Sequence, residues 1–239
     1  MAEADWTALT ASTNGALNDA DVSKGVSNGF TPPNGGGSFI HAFHALTTPT
    51  GVAGYYYSGL AAFNPIATNK GGVISGAMRR YAAGSGYAPL IGLLAGTHVQ
   101  TAKAYLLGLS DSDPYQYVLR KGAPQGGLDP TATDVLRTSD EAFNSNTLWH
   151  HLKLDVIVNP QGDVVLNIYK NDLNSNPVTA PVWAAIPGMD AFVDDGNGIL
   201  TGTLPLISGF RGFYGHYNGG GVGKVSMHDH VEVYRQLTP

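Results

Sequence analysis

The sequence predicts an all-β protein: an antiparallel two-sheet β-sandwich preceded by an N-terminal arm. Three observations support this fold class. Short apolar segments of strand length recur along the chain, turns rich in Gly and Pro separate them, and no segment keeps the helical period of 3.6 residues. The 239 residues include 32 Gly and 14 Pro, and a sandwich of this length commonly forms one domain.

Residues 1–37 are predicted to form the arm, and residues 38–239 the sandwich domain. The arm is rich in Asn, Gly and Ser and ends in the run Thr-Pro-Pro-Asn-Gly-Gly-Gly at 31–37, a composition typical of loops and linkers. The arm either orders on a neighbouring subunit or is a loose terminus or an edge strand of the sandwich.

Several apolar or aromatic segments of strand length lie in the first half of the sandwich domain. Any helix is expected to be one short turn near residues 131–140. The segments predicted as strands here are 38–46, 54–59, 72–81, 88–95, 102–109 and 115–120.

The clearest hairpin lies between residues 148 and 170. The even-numbered residues of 152–158 are Leu or Val, and period two places their side chains on one buried face. Residues 159–163, Asn-Pro-Gln-Gly-Asp, form the turn, because Pro fixes φ and Gly supplies a positive φ. The even-numbered residues of 164–168 then resume the apolar face.

The closing segment, residues 224–233, alternates in the same way. Asp229 interrupts its apolar row, and a carboxylate that faces a core must be hydrogen-bonded or bind a cation. The pattern predicts one apolar row of Val225, Met227, Val231 and Val233, and one polar row that includes His228, His230 and Glu232.

Composition limits the partners. A net charge of −5 argues against nucleic acid as the main partner, and the absence of Cys excludes disulfides, thiolate chemistry and Cys-ligated metals. No apolar run is long enough for a membrane span, and residues 1–5 lack the apolar core of a signal peptide. We therefore expect neither membrane insertion nor secretion by a signal peptide. Charged residues are only 13%, which favours a surface partly covered by neighbours in an assembled particle.

The second half of the chain resembles the concanavalin A-like jelly roll in its laminin-G-like form. The matching order is a Trp before the hairpin, a second Trp segment at 181–187, the Gly-Phe-Arg-Gly-Phe-Tyr strand at 209–214, and the closing pattern Asp229-x-Val231-x-Val233. Where that family often has an aromatic residue before the Asp, this chain has His228. The resemblance implies a fold that serves lectins, capsids and tails alike.

The whole chain also resembles virion proteins of tailed bacteriophages. The segments 104–115 and 118–122, the missing Cys and the Asn/Gly-rich arm carry this resemblance. It implies capsid or tail proteins as partners, a homo-oligomer in a symmetric particle, and a location in the virion after synthesis in the host cytoplasm.

Catalytic signatures of the fold are missing from the sequence. Glycoside hydrolases of this fold carry two carboxylates on one strand, in strings such as Glu-x-Asp-x-x-Glu. This chain has three Glu, at positions 3, 141 and 232. Only Glu3 has an Asp two residues later, and no second Glu follows that Asp at the required spacing, so the string does not occur. The sequence therefore predicts that the chain is not an enzyme.

Two metal sites are candidates. His228 and His230 are expected to share one face of a strand, where two imidazoles can ligate one transition-metal ion; they are otherwise a solvent-facing polar row. Asp194, Asp195 and Asn197 supply oxygen ligands beside a glycine turn, as Ca²⁺ requires; this loop is otherwise a plain turn. Apart from calcium, no cofactor is expected.

Aromatic residues near glycine loops are candidates for stacking on sugar rings. The candidate carbohydrate-binding residues are Trp183, Tyr214, Tyr217 and Asn218, although aromatics also dominate sandwich cores. The leading hypothesis is a non-enzymatic phage virion structural protein, a capsid decoration or tail accessory, that displays a surface for host polysaccharide. The alternatives are a free lectin-like module or adhesin and, less favoured, a glycan hydrolase.

Overall fold

In the computed structural model the chain forms two antiparallel β-sheets packed face to face, as the sequence predicts. The structure describes residues 6–8, 22–24, 31–36, 41–44, 51–57, 71–80, 87–95, 103–110, 114–122, 134–143, 148–196, 205, 211–218 and 225–235. Within these residues, no helix is long and apolar enough to cross a membrane. The strands are β1 (Trp6–Ala8), β2 (Val22–Lys24), β3 (His41–His44), β4 (Gly51–Tyr57), β5 (Gly72–Arg80), β6 (Tyr87–Ala95), β7 (Lys103–Leu109), β8 (Gln116–Gly122), β9 (Asp134–Ala142), β10 (His150–Val158), β11 (Val164–Asn171), β12 (Trp183–Ala185), β13 (Phe192–Asp194), β14 (Arg211–Asn218) and β15 (Val225–Arg235).

The strands divide between a seven-stranded and an eight-stranded sheet. The first has the order β1-β4-β14-β6-β7-β8-β9, and the second has the order β12-β11-β10-β5-β15-β3-β2. β13 also belongs to the second sheet, because it pairs with β11 beyond the end of β12. Any helix was expected to be at most one short turn near residues 131–140, and β9 occupies the described part of that range, from residue 134 onward.

The hydrophobic core lies between the two sheets. The alternation predicted for the hairpin is confirmed, because every even-numbered residue of 152–158 is at most 2% exposed. Burial of each such side chain contributes roughly 1.5–3 kcal/mol. The turn is also as predicted: the amide of Asn159 donates to the carbonyl of Asp163, and Gly162 has a φ of +92°. Core residues that the seven-stranded sheet contributes include Ile91, Leu93, Tyr105, Leu107 and Leu119.

β15 contains a β-bulge that changes which side chains face the core. Asp229 pairs with Ala77 and Glu232 with Ser75, so three residue steps on β15 match two on β5. The extra residue is His230, whose φ is +49°. Because side chains alternate at period two, one extra residue exchanges the two faces. The single apolar row predicted for this strand is therefore wrong: the inward side chains are Ser226 and His228 before the bulge, and Val231 and Val233 after it.

Described parts of the predicted arm belong to the sandwich. β1 pairs with β4 at the edge of one sheet, and β2 pairs with β3 at the edge of the other. Residues 31–36 lie against the outer face of the eight-stranded sheet, where the indole N–H of Trp149 donates to the carbonyl of Thr31 at 2.9 Å. β1 and β2 are therefore edge strands, one of the open alternatives, whereas residues 31–36 contain a turn and no strand. The domain division at residue 37 stays a prediction.

Candidate functional site

A cleft of about 510 Å³ lies on the outer face of the eight-stranded sheet. We call it the outer-face cleft. β5, β10 and β15 contribute residues to it, as do the segment 178–181 and β12. Residues that line it include Ser75, Lys153, Thr179, Trp183, Glu232 and Tyr234.

Strand register explains why these side chains meet. Lys153 pairs with Ser75, and Ser75 pairs in turn with Glu232 on the far side of β5. Residues directly opposite one another in a sheet point to the same face. The even-numbered residues of β10 fill the core, so its odd-numbered residues, including Lys153, face outward into the cleft.

Trp183 and Lys153 are in contact in the cleft. The Nζ of Lys153 lies 5.0 Å from the ring centroid of Trp183 and 4.2 Å from that of Tyr169. These distances are those of cation–π contacts. Burial lowers the pKa of the Lys153 ammonium, and the nearby charge of Asp155 acts in the opposite direction. The ammonium and the indole therefore form one composite surface.

Asn171 holds the loop that carries Trp183. Its Oδ1 accepts a hydrogen bond from the amide of Val182 at 2.9 Å, and its Nδ2 donates to the carbonyl of Asn176 at 3.0 Å. The side chain is buried, at 5% exposure. Asn171 is not among the residues predicted from the sequence, where its only signal is an Asn at the end of an otherwise alternating strand.

The ring of His151 packs against the indole of Trp183. The two rings meet edge to face, with centroids 4.7 Å apart. Burial, with a smaller contribution from His230, lowers the pKa of His151 to about 3. The ring is therefore neutral near pH 7, and its Nδ1 lies 3.2 Å from the Nδ2 of Asn171. An amide nitrogen can only donate, so the hydrogen bond assigns the proton of the neutral imidazole to Nε2.

β15 brings three polar side chains to the opposite side of the cleft. The Nε2 of His230 lies 3.3 Å from Glu232 Oε1, and the hydroxyl of Tyr234 donates to Glu232 Oε2. Burial, together with this hydrogen bond, raises the pKa of Tyr234 to about 12. Glu232 is therefore oriented by both neighbours. The bulge at His230 is what brings that imidazole to the cleft.

Of the predicted sugar-binding residues, Trp183 lies in the outer-face cleft and is partly exposed. The sugar-binding assignment of Tyr214 is corrected, because this residue is fully buried in the core and its ring packs against that of His228. A buried ring offers no face to a sugar. Tyr217 and Asn218 belong to β14, but their side chains lie outside the part of the chain that the structure describes.

The predicted His228–His230 metal pair is also corrected. His228 is fully buried, and its Nε2 lies 2.7 Å from the carbonyl oxygen of Gly215 in the other sheet. His230 instead lines the outer-face cleft. The bulge thus sends the two imidazoles to opposite faces. Among the residues that the structure describes, no group of three or more His, Asp or Glu side chains is placed to hold a metal ion.

In the predicted calcium loop, the carboxylate of the first proposed ligand, Asp194, already has protein partners. Asp194 is 7% exposed, and its Oδ2 accepts hydrogen bonds from Lys121 Nζ at 2.5 Å and from the Tyr105 hydroxyl at 2.6 Å. The ammonium already neutralises this carboxylate, which corrects the assignment of Asp194 to Ca²⁺. Asp195 is exposed, and Asn197 lies outside the described residues.

Comparison with known proteins supports the fold alone. No protein-family model matches the sequence, and no curated protein matches it. The chain is similar in structure to an engineered GH43 glycoside hydrolase described as both an endo-xylanase and an exo-arabinofuranosidase, with a TM-score of 0.57, 10% identity and coverage of 99% of this chain and 39% of that one. It is also similar to a bifunctional GH43-CE protein of Bacteroides eggerthii (TM-score 0.54, 13% identity, 98% and 24% coverage). A third similar structure is a GH16 protein of the Bacteroides ovatus mixed-linkage glucan PUL, in complex with its G4G4G3G product (TM-score 0.53, 13% identity, 99% and 96% coverage).

These likenesses confirm the concanavalin A-like jelly roll. This chain spans less than half the length of either GH43 structure and nearly all of the GH16 structure. The prediction that the chain is not an enzyme is contradicted, because several structures of the same fold are glycoside hydrolases. A missing sequence string is therefore no ground for excluding catalysis. The phage origin is not tested by these comparisons and stays a prediction.

Proposed function

We propose that the chain binds glycans in the outer-face cleft, with Trp183 as the surface on which a sugar ring stacks. The observation that carries the proposal is a partly exposed indole in a cleft whose other side chains include Lys153, Thr179 and Glu232. The C–H faces of a sugar suit an aromatic ring, and a few placed polar groups fix the orientation of its hydroxyls.

The stacking surface is held in place before any ligand arrives. His151 contacts the indole edge to face, and Asn171 fixes the loop that leads into β12. A side chain that is already ordered loses little conformational entropy on binding, which favours affinity.

A polysaccharide array, followed by affinity measurement on the strongest ligand, tests the proposal. Trp183→Ala should weaken binding at least about tenfold, because stacked aromatic anchors dominate such contacts. The matched control is Trp149→Ala, which removes an indole elsewhere on the outer face. No binding by the wild-type chain, or equal losses in both variants, would refute the proposal.

A second candidate function, cleavage of glycosidic bonds, is favoured by the carboxylates of the outer face. Asp155 lies opposite Val73 on one side of β5, and Glu232 lies opposite Ser75 on the other. Most glycosidases use two carboxyl groups that flank the scissile glycosidic bond. Burial raises the pKa of Asp155, as a general acid requires, while Glu232 has the role of base or nucleophile. The pair comes from two strands, so no string within one strand reveals it.

Release of reducing ends from the bound polysaccharide tests this second candidate. Glu232→Gln and Asp155→Asn should each abolish release while binding persists, and Glu141→Gln, whose partner is Lys170, should leave it unchanged. Release that survives both substitutions would exclude this pair, and no release from any bound glycan would leave binding as the function.

We also propose that the sandwich works on the exterior of a phage particle, docked to capsid or tail subunits in a symmetric oligomer. Low charge and the absence of Cys support this location; a free lectin-like module is the alternative. Copurification with intact virions in fixed copy number is the expected result, and absence from purified virions would favour the free module.

A further inference from the structure

The ammonium of Lys153 lies in the outer-face cleft without a hydrogen-bond acceptor. Its contacts are the faces of Tyr169 and Trp183. No hydrogen bond or ion pair joins it to any other residue in the part of the chain that the structure describes. Three N–H donors therefore remain available to a ligand in the cleft.

The other charged groups that face Lys153 do not accept a hydrogen bond from its ammonium. Asp155, on the same strand, acts on Lys153 electrostatically without forming an ion pair with it. Glu232, across β5, accepts the hydroxyl proton of Tyr234 on one oxygen and has His230 beside the other. Both carboxylate oxygens of Glu232 thus have partners other than Lys153.

We propose that the outer-face cleft selects acidic glycans: Lys153 donates hydrogen bonds to an anionic substituent, a uronate carboxylate or a sulfate ester, while the sugar ring stacks on Trp183. The inference rests on the proposed glycan binding and names its ligand class. An ammonium that has lost part of its hydration gains most from a charged acceptor, because charge-assisted hydrogen bonds are the strong ones. Neutral sugar hydroxyls offer it less.

Matched polysaccharide pairs test the ligand class. The probes are polygalacturonate and alginate beside their carboxyl-reduced forms, and carrageenan beside its desulfated form, with a neutral mixed-linkage glucan added. We expect the wild-type chain to bind at least one charged member about tenfold or more tightly than its neutral partner, and this preference to shrink at high salt. Which pair shows the preference distinguishes carboxylate from sulfate.

Three variants assign the preference to Lys153. Lys153→Gln should lose the preference while keeping its affinity for neutral forms, and Lys153→Arg should retain it. The matched control is Lys170→Gln, which removes the same charge from a lysine paired with Glu141 and should change nothing. Thermal melting checks that each variant is folded, and Lys153→Arg keeps the test valid if the Gln variant is not.

The outcomes separate this inference from the proposed function. Equal binding of charged and neutral forms, or an unchanged preference in Lys153→Gln, would overturn the acidic-glycan inference and leave glycan binding intact. Failure of the wild-type chain to bind any of the polysaccharides would overturn both.

Discussion

His228 and His230 lie two residues apart on β15 yet point to opposite faces of the eight-stranded sheet. The imidazole of His228 is buried against Tyr214, and that of His230 lines the outer-face cleft. The bulge between Asp229 and Glu232 causes this separation, because one extra residue shifts the register with β5. The bulge thus prevents His228 and His230 from sharing a metal ion, and it places His230 in the outer-face cleft.

At position 230, glycine should give a more stable folded chain than alanine. The φ of His230, +49°, is unfavourable for residues with a Cβ, at a cost of roughly 1–2 kcal/mol. We expect His230→Gly to be more stable than His230→Ala by about 1 kcal/mol in urea unfolding. At Ala77, opposite the start of the bulge, the order should be reversed, since glycine weakens a regular strand. Greater stability of the alanine variant at 230 would show that the bulge has another conformation.

His151 should make the fold sensitive to acid. Its pKa is about 3 in the folded chain and about 6.5 when unfolded, so between these values the unfolded chain binds a proton that the folded chain excludes. Its contribution to stability is complete above about pH 6.5 and is lost as the pH falls toward 3. Removing this group should reduce the slope of unfolding free energy against pH by up to about 1.4 kcal/mol per pH unit between about pH 4 and 6.

Urea unfolding of the wild-type chain and of His151→Gln across this range measures the two slopes. Comparison of slopes, not of absolute stabilities, isolates proton binding from any loss of packing. Parallel curves would mean that folding leaves the pKa of His151 unchanged, which would contradict the assigned burial of its ring.

The buried pair Lys121–Asp194 should be costly to break. Both side chains are almost completely buried, and Asp194 also accepts from Tyr105. Lys121→Met leaves a buried carboxylate without its counter-ion, for which we expect a loss of about 3–5 kcal/mol in urea unfolding. Lys170→Met breaks the half-exposed pair with Glu141 and should cost less than about 1 kcal/mol. Similar losses in the two variants would contradict the assigned burial of Asp194.

Calcium should not stabilise the chain through Asp194. Its carboxylate already binds an ammonium and a hydroxyl, and a cation would have to displace Lys121. We expect the melting temperature to be the same with Ca²⁺ and with a chelator. An increase with Ca²⁺ that disappears in Asp194→Asn would restore the calcium loop.

The sequence predicts the fold wherever local patterning decides it. The hairpin of β10 and β11 follows from alternation over 152–168 and from a turn whose Gly162 has a positive φ. Alternation fails at β15, because no residue type near Asp229 marks a bulge: the positive φ falls on His230, where glycine would have signalled it.

The candidate site was predictable only in part. Trp183 and Tyr214 were predicted on the same ground, an aromatic residue near glycine loops, yet Trp183 lies in the outer-face cleft and Tyr214 is buried in the core. Sugar binding by Trp183 stays a prediction. The contacts of Lys153 with Trp183 and of Asn171 with Val182 depend on strand order and on a loop. Such contacts are tertiary and leave no periodic trace. Asp194 shows the same dependence, since its partners come from β7 and β8.

Glycan binding in the outer-face cleft is tested by a crystal structure of the chain with an oligosaccharide cut from its best polysaccharide ligand. We expect a sugar ring stacked within about 4 Å of the Trp183 indole, with its polar groups directed at Lys153 and Glu232. An oligosaccharide bound on the seven-stranded sheet or at the loops, with the outer-face cleft empty, would contradict it.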